Sequence, residues 1–248
     1  IDSLYVHVPF CALNCAYCAF FSEASSGELI NRYTDALVRE MELVATDPAM
    51  ARPRTIFFGG GTPSILNLKQ WEKILRTMER LGWLGAEEFT VECNPATVSL
   101  DKAKLFRSFG INRVSMGVQS LDEALLDRLG RIHSREMVFK SFDILRSAGF
   151  DNLNIDLMFA IPSQTMDIWR ATLADARRAD AWIDANKSAR PLLGLLQPVW
   201  IRPLEALALD KTGDRRGAEA LIETTPFDCY LCLRVRGTLT ALESRPLR

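Results

Sequence analysis

Three cysteines fall within eight residues near the start of the chain, Cys11-Ala-Leu-Asn-Cys15-Ala-Tyr-Cys18. Thiols this crowded do not suit a framework of disulfides, and three is one short of the four that a closed structural zinc site takes. Thiolates also hold cubane iron–sulfur clusters, usually four to a cluster. With three, one iron keeps a position for an external chelating ligand, which is useful when the cluster must deliver an electron into the ligand it binds. Two plainer readings stand beside this one: a zinc site completed by a distant residue, with His7 as a nearby candidate, or three unrelated buried thiols.

Gly59 to Ser64 reads GGGTPS. Three glycines let a backbone approach a ligand closely and expose amides to a carboxylate or phosphate. No Lys-Ser/Thr pair follows, so this is not a Walker loop. Glu92, Gln119, Arg131 and Asp156 fall at or after later strand ends. Singly, each suits a salt bridge or a cap; together, around one sheet edge, they favour a site. Cys93 follows Glu92 and so points towards core packing. His133 precedes a helix cap and reads as a local structural residue, with axial heme ligation as the alternative. Cys229 and Cys232, in DCYLC, supply only half of a metal site.

These residues need a scaffold that brings strand ends together. Runs such as SLYVHV, RTIFFGGG, EFTVECNP, NRVSMGVQS and NLNIDLMFAIP read as strands separated by stretches of helical period. Asn67 caps one helix, Ser134 caps another, and Ser120 with Glu123 has capping-box spacing for a short helix to Leu129. Strand–helix alternation predicts a parallel sheet with right-handed crossovers, either a (β/α) barrel or a doubly wound sheet. Strands buried on both faces normally read as continuous apolar runs. Here Tyr5 and His7 oppose Leu4, Val6 and Val8; Thr90 and Glu92 oppose Phe89 and Val91; Ser115 and Gln119 oppose Val114, Met116 and Val118; Asn154 and Asp156 oppose Leu153, Ile155 and Leu157. A polar face shared by several strands predicts a ligand-filled barrel interior, in which Glu92 and Asp156 meet a donor-rich ligand or a basic side chain. An ordinary sheet with internal salt bridges is the bland alternative.

With 48% hydrophobic residues in 248, the chain can bury a sizeable core, and a formal net charge of −1 gives no reason to expect nucleic acid or an anionic membrane. No apolar run reaches the ~20 residues of a membrane helix. The first residues lack a basic stretch and a small-residue cleavage site, and six cysteines clustered three, one and two do not resemble an extracellular staple set. These features place the chain in the cytoplasm, with membrane contact only through a partner.

The segments LYVHVPFCALNCAYCAFFS, FFGGGTPS, VECNPATV, GINRVSMGVQSLDEALLDRLGRIHS and NLNIDLMFAIPSQT, in this order, resemble the coproporphyrinogen III oxidase-like branch of the radical S-adenosylmethionine (SAM) enzymes, most closely its heme-chaperone members. The resemblance covers about residues 3–173 and implies an α/β fold, a partial (β/α) TIM-type barrel. It implies a [4Fe–4S] cluster on Cys11, Cys15 and Cys18, with SAM chelating the fourth iron and a C–S bond cleaved to methionine and a 5′-deoxyadenosyl radical. It further implies that Tyr5 and Tyr17 flank the cluster–SAM site, that Gly60, Gly61 and Thr62 line the methionine moiety, and that Glu92, Gln119, Arg131 and Asp156 complete the SAM pocket. No residue is assigned a catalytic role of its own.

The oxidase proper has a further cysteine two residues after the third, where this chain has Phe20, and an N-terminal extension; both departures favour the chaperone-like branch. Residues 1–173 are expected to form the radical SAM core. Residues 174–248 lose the strand–helix alternation and the family's C-terminal His-Asn-x-x-Tyr-Trp element, as a frameshift or truncation would produce; a divergent domain is the alternative. The expected function is heme binding and transfer to an acceptor protein, with an unidentified electron donor. A radical SAM enzyme acting on a porphyrinogen and an inactive fragment are the alternatives.

Overall fold

The computed structural model describes residues 3–24, 27–50, 52–185 and 214–223. Of the expected frameshifted or truncated tail, 174–248, only residues 174–185 and 214–223 are described; Cys229 and Cys232 lie outside the described residues. The chain divides into two compact units, residues 1–161 and 162–248.

In the first unit, chain order gives β1 (Ser3–Val8), β2 (Phe10–Cys11), β3 (Glu23–Ala24), α1 (Gly27–Val44), β4 (Thr55–Gly60), α2 (Leu68–Arg80), β5 (Glu88–Cys93), α3 (Leu100–Ser108), β6 (Arg113–Gln119), α4 (Glu123–Arg128), α5 (Arg135–Ser147) and β7 (Asn152–Leu157). Five strands form one sheet in the order β1-β4-β5-β6-β7, every pair parallel. The order never reverses along the chain, which is barrel progression rather than a doubly wound sheet with a switch point. β1 and β7 are its edges among the described residues, so this is a partial barrel.

The alternation read from the strands holds. Val6, Val8, Ile56, Phe58, Phe89, Val91, Val114, Met116 and Val118 are buried beneath the helices. Phe58 lies 5.1 Å from Trp71 and 5.7 Å from Phe89 between ring centroids, and Trp71 meets Phe106 edge-on at 4.7 Å. Burying each such side chain contributes ~1.5–3 kcal/mol, so this helix-facing layer is what fixes the strand ends in space.

Helix starts follow local chemistry. Asn67 Oδ1 accepts from Gln70 N at 3.0 Å while Gln70 Oε1 accepts from Asn67 N at 2.8 Å, a complete capping box at α2. Ser134 caps α5, accepting from Met137 N at 3.2 Å. The capping box expected of Ser120 and Glu123 does not form. Asp122 caps α4 by accepting from Leu125 N at 2.9 Å, Ser120 Oγ accepts from Asp122 N, and Glu123 accepts from Arg135 N at the start of α5. A carboxylate at the cap position outcompetes the hydroxyl two residues earlier, since it faces the free amides and the positive helix end.

The second unit contains α6 (Met166–Ala185) and α7 (Arg215–Glu223) among its described residues. Thr165 Oγ1 accepts from Ile168 N at the start of α6, and Asp214 Oδ1 accepts from Gly217 N at the start of α7. No described helix is long and apolar enough to cross a membrane.

Candidate cluster and cofactor site

The three thiols occupy a loop that leaves β1, runs through β2 and returns at β3. Phe10 and Cys11 pair with Glu23 and Ala24, and Glu23 N donates to Pro9 O at 2.7 Å, which closes the loop at its base. Within it Cys18 N donates to Cys15 O at 3.1 Å. Cys11, Cys15, Cys18 and the buried Cys93 are all free.

The end of β4 packs directly under this loop. Gly61 N donates to Val8 O at 2.8 Å and Thr62 N to Phe10 O at 2.7 Å. A Cβ on Gly61 would stand 2.6 Å from Phe10 O and 3.0 Å from Cys11 Sγ, and Gly60 has φ +113 with the His7 ring 2.8 Å from any Cβ. Only glycine permits this approach. The amides expected to face a ligand are thus already committed: Gly60 to the Glu92 carboxylate, Gly61 and Thr62 to backbone carbonyls. The glycines serve close packing of the cysteine loop instead.

A cavity of about 410 Å³ opens between loop and strand ends, lined by Cys11, Cys15, Tyr17, Cys18, Gly60, Gly61, Thr62, Glu92, Gln119, Arg131 and Asp156 among others. Eleven of the twelve residues singled out in the sequence therefore share one cavity. Tyr5 does not line it: its hydroxyl lies 2.9 Å from His7 Nδ1 and its ring stacks on Phe57. His7 Nε2 in turn sits 3.1 Å from Phe21 O. Both ring nitrogens are engaged away from the thiols, so His7 is not placed as a fourth zinc ligand.

Sequence reasoning did not assign Asn94, Thr97 and Gly117 to the cavity wall. Asn94 and Thr97 follow β5 directly in ECNPAT, a position that could have marked them. Gln119 reaches the wall through a register shift between Gly117 and Gln119 in β6, with φ +65 at Gln119. Such a bulge re-aims a side chain at a strand end.

Glu92 and Asp156 lack a basic partner among the described residues. Asp156 accepts from Asn154 Nδ2 at 2.8 Å and Ser115 Oγ at 3.3 Å. Burial first, then the Asp156 charge, pushes the Glu92 carboxyl up to about 7, against the hydrogen bond from Gly60. An acidic wall with unspent charge suits a cationic ligand. Arg131 Nε is buried without a hydrogen-bond partner among the described residues, another polar group awaiting a contact. His133 keeps the structural role read for it: it is buried, its Nε2 3.1 Å from Val118 O, and burial together with Arg131 lowers its pKa to about 4.

The Radical SAM superfamily model matches residues 5–176. The chain is 40% identical over 168 residues to the heme chaperone HemW of Lactococcus lactis subsp. lactis, covering 67% of this chain and 43% of that protein. It is 31% identical over 206 residues to the oxygen-independent coproporphyrinogen III oxidase of Synechocystis sp., covering 82% of this chain and 43% of that one. Among solved structures it resembles coproporphyrinogen III oxidase (HemN) from Escherichia coli, a radical SAM enzyme, at a TM-score of 0.66 and 31% identity over 71% of this chain and 41% of that chain. The chain belongs to the radical SAM superfamily. Within it, these relatives place the chain in the branch of HemW heme chaperones and HemN-like oxidases. It spans about half the length of the curated relatives it matches.

Membership brings a [4Fe–4S] cluster and SAM as cofactors, and the residues fit both. Three free thiols and two carboxylates, Glu92 and Asp156, line the same cavity. No three described His, Cys, Asp or Glu side chains gather tightly enough to hold a single metal ion.

Proposed function

We propose that this chain is the cluster- and SAM-binding core of a cytoplasmic heme chaperone, which binds heme and passes it to an acceptor protein. The reading of the cofactor site rests on one observation, the sharing of one cavity by Cys11, Cys15 and Cys18, the Gly60–Thr62 turn, Glu92 and Asp156. When bound and reduced, the cluster would supply the electron that breaks a C–S bond of SAM. Cys11, Cys15 and Cys18 would hold it, and the unpaired Glu92 and Asp156 carboxylates would attract the positive charge that SAM carries. Gly60, Gly61 and Thr62 would border its methionine part, while Gln119 and Arg131 complete the wall. Tyr17, whose hydroxyl lies 3.5 Å from Arg131 Nη1, closes one side. Tyr5 would act at one remove, by orienting His7 under the cysteine loop.

Heme handling is favoured over porphyrinogen oxidation by Phe20, which stands where the oxidase has a further cysteine. Phe20 is 75% exposed and borders the cavity beside Leu13, 57% exposed, so the mouth offers apolar surface to a flat tetrapyrrole. Several of the curated relatives are HemW chaperones. The second reading, a radical SAM enzyme acting on a porphyrinogen, draws on the likeness to HemN.

The test is heme titration of anaerobically reconstituted protein, followed by transfer to an apo heme protein. Saturable heme binding with transfer, and no porphyrinogen-dependent SAM consumption, supports the chaperone. Porphyrinogen-dependent SAM consumption without transfer supports the oxidase.

A further inference from the structure

We infer that Arg131 tunes the cluster, its guanidinium donating to the Cys15 thiolate and raising the potential at which the cluster accepts an electron. The inference rests on the reading above that Cys15 is a cluster ligand. Arg131 Nη1 lies 3.4 Å from Cys15 Sγ although the two residues are 116 apart in sequence. The group is held there from behind: Nη2 donates to the Gly117 carbonyl at 2.6 Å. A Cβ on Gly117 would come 3.5 Å from Nη2 and 3.0 Å from Gln119 Nε2, so the bare backbone of β6 gives the guanidinium its bed.

Arginine stays protonated throughout any working pH range, so this is a fixed cation with an N–H directed at sulfur. One electron taken from an external reductant makes the cluster more negative. A neighbouring positive donor therefore stabilises the reduced form more than the oxidised form, and the potential rises. His133, close in sequence, adds no second cation because it is buried and held neutral. Arg131 thus serves the cluster ligand Cys15 while also lining the cavity.

The experiment compares parent protein with Arg131→Met, Arg131→Gln and Arg131→Lys, all reconstituted anaerobically without SAM. The midpoint potential is read from the EPR signal of the reduced cluster during dithionite titration. Both neutral variants are expected to load iron and sulfide as the parent does and to show a lower midpoint, with Arg131→Lys in between. An unchanged midpoint in either loaded neutral variant overturns the inference. If both neutral variants lose the cluster and Arg131→Lys keeps it, the Arg131→Lys midpoint decides: a value below the parent's supports the inference and an equal one overturns it. Loss from all three, with native far-UV spectra, overturns it in favour of a purely structural arginine. A different failure, in which the parent loads no cluster or Cys15→Ala loads one normally, removes the ligand reading itself.

Discussion

Thr62 Oγ1 stands 3.5 Å from Cys11 Sγ, joining the turn after β4 to the first thiol of the cysteine loop across 51 residues of sequence. The contact exists because Gly61 lets the two backbones touch. Gly61→Ala would push its Cβ against Phe10 O at 2.6 Å, a backbone atom that cannot swing aside. Overpacking of this kind costs ~1–3 kcal/mol, and the strain falls on the loop rather than the helix-facing core. The variant should keep its far-UV spectrum and lose most of its iron on reconstitution, measured as iron and sulfide per chain. Full loading would show that the close approach is incidental.

Glu92 makes the protein pay attention to pH near neutrality. Its carboxyl sits at about 7 in the fold against an ordinary 4.5, so between these values the folded state binds more protons than the unfolded one. Stability contributed by this group is present below pH 4.5 and is lost as pH rises towards 7. Glu92→Gln should therefore gain stability relative to the parent across that window and level off above it, as read by denaturant midpoints at several pH values. A cationic ligand would favour the ionised form, so SAM binding below pH 7 should release a proton, measurable by calorimetry in buffers of different ionisation enthalpy.

His133 acts in the opposite sense. With its pKa lowered from 6.5 to about 4 by burial and by Arg131, the unfolded state binds more protons between those values. Stability should fall as pH drops from 6.5 to 4, and His133→Asn should flatten that part of the profile. An identical acid slope in the variant would mean that other groups carry it.

Trp71 is fully buried between Phe58 and Phe106. Trp71→Ala should cost ~3–5 kcal/mol, seen as a lower denaturant midpoint with the slope unchanged. A loss under about 1 kcal/mol would mean that the aromatic layer repacks freely.

The strands and the helix-facing layer were legible because apolar alternation along β1, β5 and β6 is a local signal that survives folding. Glu92, Ser115 and Asp156 were legible for the same reason, as polar members of inward faces, whereas Gln119 reaches the wall through the register shift in β6. The cap of α4 was not, because Ser120 and Asp122 compete and only the path of the chain decides which one meets the amides. The commitment of the Gly60–Thr62 amides was hidden too, since it depends on β1 and the cysteine loop lying over β4. Tyr5 shows the limit of face reasoning: it shares a face with His7, yet its hydroxyl meets His7, its ring stacks on Phe57 and it does not line the cavity. The contact between Arg131 and Cys15 joins residues on opposite ends of the sheet's sequence and carries no local signature.

The most direct test of the site is 5′-deoxyadenosine formation from SAM by reconstituted, dithionite-reduced protein, compared with the triple variant Cys11→Ala, Cys15→Ala, Cys18→Ala. The three thiols and the carboxylates that line the same cavity predict product from the parent and none from the variant. No product from soluble, iron-replete parent, or equal product from both, would contradict a cluster-and-SAM site in this cavity.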